Sequence, residues 1–121
     1  MKQRLSITNL QQAYTDGTLT PRQVVSDILQ RVEDYKASAV FITPPTWERL
    51  TPYIEKLEQV EAHNLPLYGI PFVIKDNIDW ANVETTAACL SYAYTAHENA
   101  TVVQRLIDAG AIPIGKTKLD Q

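Results

Sequence analysis

The stretch PLYGIPFVIKDNIDWANVETTAAC, Pro66 to Cys89, decides how the rest of this 121-residue chain is read. Ile70 to Ile74 is a continuous apolar run, and it delivers Lys75 directly into Asp76, Asn77 and Asp79. Hydrophobicity that is continuous rather than alternating predicts a strand over Ile70 to Lys75, buried on both faces as in a parallel or mixed sheet. A lysine at the exit of such a strand must be solvated, paired or put to chemical use. Burial in low dielectric lowers a lysine's pKa toward the range of a general base, and site residues gather at strand exits of α/β folds. The bland alternative is a lysine that snorkels to Asp76 or Asp79. Composition and spacing leave both readings open.

Downstream, Val102, Val103, Leu106 and Ile107 share one side of a helix expected over Ala100 to Ala109, with Asn99 as its cap and Gly110 as its terminator. AIPIG, Ala111 to Gly115, reads as a second buried strand. Strand, crossover helix and strand form a βαβ unit, which implies a parallel pair. KTKLDQ follows with no closing element, so the domain reads as unfinished at Gln121.

Upstream, HNLPLYG is a loop, and the segment before it is expected to be mainly helical. Ser6 can cap a helix carrying Ile7, Leu10, Ala13 and Tyr14, which Gly17 ends. Thr20 and Pro21 restart helical structure with an apolar stripe from Val24 to Tyr35, and the two helices are expected to pack as a pair. The β-branched and aromatic AVFIT, Ala39 to Thr43, predicts a strand stopped by Pro44 and Pro45. Thr46 then caps a third helix that carries Trp47, Leu50, Ile54, Leu57 and Val60, with Pro52 bending or shortening its start.

An apolar share of 45% with 21% charged residues marks a globular chain rather than a disordered one. A net charge of −3 without clustered Lys and Arg argues against nucleic acid as a partner, since counterion release needs such clusters. No window approaches the apolar length of a membrane span, and no signal peptide is visible, so a cytoplasmic location is the default expectation. Cys89 is the single cysteine, and His63 and His97 lack ligand spacing, so no metal site is expected.

Three other motifs have structural readings. Gly115-Lys116-Thr117 superficially matches a phosphate-binding loop, but Ile112 to Ile114 read as strand where that loop would be glycine-rich. Lys116 is expected instead to cap strand-end carbonyls or to pair with Asp120. In TTAAC, Thr85 and Thr86 are expected to bond backbone in a tight turn, and Cys89 to pack as a small apolar group.

Taken together, PLYGIPFVIKDNID, TTAAC and ENATVVQRLIDAGAIPIGKTKLDQ resemble the N-terminal part of the amidase signature family, densely from Pro66 to Gln121 and more loosely over the leading helices. TTAAC and KTKLDQ are most similar to the allophanate hydrolase branch; the tRNA-dependent amidotransferases share most of the stretch in their amidase component. One departure is Lys118, where the family usually has Asn.

The resemblance implies an α/β fold of helices packed on a mixed β-sheet, incomplete at the C-terminus. It divides the chain into leading helices (1–64) and a segment with the lysine strand, crossover helix and second strand (65–121). It implies amide hydrolysis by a serine, a cis-bonded serine and a lysine. By position Lys75 matches the lysine, which acts as base through the cis-serine, and Asp76, Asn77 and Asp79 match a supporting turn. The family's serines and oxyanion hole lie in a Gly/Ser-rich segment further downstream. Ser6, Ser26, Ser38 and Ser91 stand in no such cluster, so the chain alone is expected to be inactive.

No cofactor is implied. The implied partner is a small-molecule amide substrate of the full-length enzyme, with no nucleic acid, no membrane and possible homo-oligomers. The competing expectation is a non-catalytic binding or oligomerising module that covers an open sheet edge.

Overall fold

The structure, a computed structural model, describes residues 6–34, 41–85 and 94–117. Helix α1 (Ile7–Asp16) starts at Ser6, whose hydroxyl accepts the Asn9 N–H at 3.1 Å, and ends at Gly17 with φ of 80°. Glycine adopts that left-handed conformation without a Cβ penalty. Helix α2 (Pro21–Asp34) opens with a reciprocal cap: the Thr20 N–H donates to the Gln23 side chain at 2.9 Å, and the Gln23 N–H donates to the Thr20 hydroxyl at 3.2 Å.

Strand β1 (Phe41–Thr43) is stopped by the two prolines as expected. The predicted start at Ala39 lies outside the described residues, as does Tyr35. In helix α3 (Trp47–Leu57) the Thr46 hydroxyl accepts the Arg49 N–H at 3.2 Å. Pro52 neither breaks nor shortens this helix. It removes only the bond to the Glu48 carbonyl, and the Thr51 hydroxyl reinforces that turn by donating to the Trp47 carbonyl at 2.6 Å. The helix ends before Val60, which is exposed.

A short 3₁₀ turn (Ala62–Asn64) leads to β2 (Pro71–Lys75), then β3 (Glu84–Thr85), β4 (Tyr94–Thr95), α4 (Thr101–Asp108) and β5 (Ile112–Thr117). The main sheet is mixed, in the order β1-β5-β2, with β5 antiparallel to β1 and parallel to β2. The expected βαβ unit is therefore present. Its crossover also carries the antiparallel pair β3–β4.

Two expectations need correction here. Burial on both faces belongs to β5, the central strand, and not to β2. Among the described residues β2 pairs on one side only, with β5. Phe72 and Ile74 face a core, whereas Val73 is 54% exposed and Lys75 is exposed. The cap of α4 is also different: Ala100 holds that position with no side-chain bond. Asn99 instead accepts the Ala81 N–H at 2.7 Å and donates to Gln104 at 2.8 Å, because its amide is already engaged in holding the preceding loop.

Three apolar clusters fill the interior. Val25, Leu50, Ile54 and Leu57 pack on Ile112 and Ile114, while Ile74, Trp80, Val83 and Val103 form a second group. Leu10, Tyr14, Val24 and Ile70 form the third, which brings α1, α2 and the residue before β2 into one cluster. The closest helical neighbours are otherwise the 3₁₀ turn for α1 and α3 for α2, not each other as expected. In this cluster the Tyr14 hydroxyl donates to the Gly69 carbonyl at 2.7 Å. Gly69 has φ of 68°, and a Cβ there would lie 2.6 Å from the Tyr14 ring, so no side chain fits.

Burial, and secondarily Tyr68, pushes the Tyr14 hydroxyl above the ordinary tyrosine range. A folded-state pKa above the unfolded value means that its stabilisation is complete below about pH 10 and is lost as pH rises beyond that. Tyr14→Phe should cost about 1 kcal/mol near neutrality. Urea unfolding at about pH 8 and about pH 11 should show wild type losing more stability than Tyr14→Phe between the two.

Candidate functional site

Because successive strand residues point to opposite faces, the β2–β5 ladder separates two lysines. Ile74 pairs with Lys116 and Lys75 pairs with Thr117, so Lys116 emerges on the core face with Ile74, and Lys75 emerges on the other face with Val73. Lys75 is exposed and Lys116 is fully buried. The low-dielectric setting expected for Lys75 is occupied by Lys116 instead, because only the central strand has both faces covered.

The Lys116 ammonium donates to the Asp76 carbonyl at 3.1 Å, the Glu84 carbonyl at 3.2 Å and the Thr85 hydroxyl at 2.8 Å. Its three protons are thereby matched to three acceptors. The Asp76 carboxylate, also fully buried, stands 4.0 Å away. Burial pushes the Lys116 pKa below the ordinary lysine range, and the charges of Asp76 and Asp79 oppose that shift. The expected carbonyl capping by Lys116 is present; Asp120 lies outside the described residues, and Asp76 supplies the carboxylate. Gly115 to Thr117 lie within β5, which removes the phosphate-loop reading.

The turn after β2 is fixed from several sides. The Asp76 N–H donates to the Thr117 carbonyl at 3.0 Å, and the Ile78 N–H donates to the Lys75 carbonyl at 2.9 Å. Asp79 accepts the Thr85 hydroxyl at 3.0 Å and the Tyr94 hydroxyl at 2.6 Å on one carboxylate oxygen. Its carbonyl accepts the Ala100 N–H at 3.0 Å, which ties the turn to the start of α4. The bond to Asp79 raises the Tyr94 pKa. Asn77 is exposed.

Among the described residues, the expected bond from the Thr85 side chain to backbone does not form. Its hydroxyl instead links Lys116 to Asp79, because the β3 backbone is already engaged with β4. Thr86, Cys89 and Lys118 lie outside the described residues. His63 and His97 are exposed. A recess of about 610 Å³ between α2 and the turn Pro44 to Trp47 includes none of the site residues.

Sequence reasoning under-reads Lys116. Alternation along β5 gives no guide to it, because the register shift between Phe72 and Val73 breaks the parity between Ile112, which pairs with Pro71, and Lys116, which pairs with Ile74.

Residues 23–121 match the family model described as Amidase. The chain belongs to the amidase family. Over 112 residues it is 39% identical to the urea amidolyase of Lachancea kluyveri, covering 87% of this chain and 6% of that protein. Over 120 residues it is 34% identical to a component of the mitochondrial glutamyl-tRNA(Gln) amidotransferase of Ornithorhynchus anatinus, covering 97% of this chain and 23% of that protein. The fold superposes on an allophanate hydrolase of Kluyveromyces lactis with a TM-score of 0.78 and 33% identity, covering all of this chain and 20% of that one. The chain thus spans under a quarter of the length of each of these relatives.

The two lysines should respond very differently to loss of charge. Lys116→Met leaves the Asp76 carboxylate and three acceptors buried without their cation, and should cost about 3–5 kcal/mol. Lys75→Met, on the exposed face, should stay within about 0.5 kcal/mol of wild type in urea unfolding.

Proposed function

We propose that this chain supplies the base of an amide-hydrolysing site, with allophanate as substrate, and that Lys75 is that base. The observation that carries the reading is the placement of Lys75. It is the last residue of β2, on the face away from the Ile74 core, and the resemblance of PLYGIPFVIKDNID to the family supports reading it as the lysine of the Ser, cis-Ser and Lys triad. An amine there is free to meet groups brought to that face.

In this reading the Lys75 amine takes a proton from the cis-serine, which takes the proton of the nucleophilic serine. The serine oxygen bonds to the amide carbonyl carbon, the C–N bond breaks, and ammonia leaves with a returned proton. Water then releases the acyl group by the same route. Asp76, Asn77 and Asp79 shape the turn and do not react. Neither serine is among Ser6, Ser26, Ser38 and Ser91, so the 121 residues alone are inactive. The substrate reading draws support from the urea amidolyase and allophanate hydrolase relatives.

A second reading, the amidase component of a tRNA-dependent amidotransferase, has in its favour a match across 97% of the chain. Segment exchange separates the two readings. This chain should replace the corresponding segment of the Kluyveromyces lactis allophanate hydrolase with ammonia release from allophanate retained. Lys75→Met in that chimera should lower kcat by at least ~100-fold, and the purified chain alone should release no ammonia. A fully active Lys75→Met chimera would end the assignment of Lys75. Better retention of activity after the same exchange in the amidotransferase would favour the second reading.

A further inference from the structure

The peptide unit that follows Lys75 is held in place from the far side of the sheet. Its neighbour Asp76 has its N–H on the Thr117 carbonyl and its carbonyl on the Lys116 ammonium, while the Lys75 carbonyl receives the Ile78 N–H. The other two acceptors of Lys116 lie on β3, at Glu84 and Thr85. Thr85 continues to Asp79, and Asp79 to Tyr94 and the start of α4. A single buried cation therefore fastens the turn Asp76 to Asp79, strand β3 and the end of β5 to one another.

Main-chain direction at a strand end sets the direction of the side chain there. A reacting group misplaced by about 1 Å can lose on the order of 100-fold in rate. We propose that Lys116 is a positioning residue for Lys75: from the core face, its ammonium sets the main-chain turn that aims Lys75 on the opposite face. The proposal rests on the reading of Lys75 as the base. It assigns Lys116 no contact with reacting atoms.

The test uses the full 121-residue chain and reads geometry rather than activity. Amide residual dipolar couplings are measured for wild type and Lys116→Met under conditions where both are folded. The couplings of Lys75, Asp76 and Ile78 should shift beyond measurement error, while those of Leu10 in α1 and Leu50 in α3 stay at wild-type values. Adding propylammonium to Lys116→Ala should restore the Lys75 and Asp76 couplings, and propanol should not.

Thr85→Val, which keeps the side-chain shape and removes one acceptor, should shift the same residues by less, and it provides the reading if Lys116→Met fails to fold. Unshifted Lys75, Asp76 and Ile78 couplings in the folded variant would overturn the proposal by reducing Lys116 to a contributor to stability. Equal restoration by propanol would overturn it by removing the role of charge. A Lys75→Met chimera that stays active would instead remove the base assignment and leave the geometric result unchanged.

Discussion

A fully buried ammonium needs three acceptors and a counter-charge, and the end of the sheet is arranged around that requirement at Lys116. Two main-chain carbonyls, one hydroxyl and the Asp76 carboxylate meet there from three separate segments. Apolar packing could hold these segments near one another, but it is non-directional and would not fix their orientation. Hydrogen bonds to a charge are directional and are stronger than neutral ones. The irregular turn after β2, which no regular ladder constrains, acquires a defined path through them.

Much of the fold was legible because its signals are local. Ser6 and Thr46 each cap the helix expected of them, Thr20 and Pro21 restart helical structure as expected, and Gly17 ends the first helix. The parallel pairing of β2 and β5 follows from the order strand, helix, strand. What failed depended on partners distant in sequence. Continuous hydrophobicity in β2 did not reveal that Val73 and Lys75 are exposed, because among the described residues the strand pairs on one side only, with β5. Asn99 is a good capping residue by type, but Ala81 and Gln104 engage its amide first.

The site divides in the same way. Lys75, Asp76, Asn77 and Asp79 stand out as an unusual polar run at a strand exit, and the structure keeps them at one turn. Which lysine is buried is a question of parity across a ladder with a register shift between Phe72 and Val73, and a single strand's sequence does not carry that information. The two lysines, similar in sequence terms, are given opposite surroundings by one pairing: one is fixed by every proton it has, and the other faces outward from β2.

The contact between Tyr14 and Gly69 spans 55 positions of the chain. A ten-residue helix such as α1 is only marginally stable by itself in water. During synthesis, at ~5–20 residues per second, α1 leaves the ribosome roughly three to eleven seconds before the glycine against which its tyrosine rests. For that interval the Tyr14 hydroxyl lacks the carbonyl to which it donates, so α1 is made well before the contact that fixes its tyrosine exists.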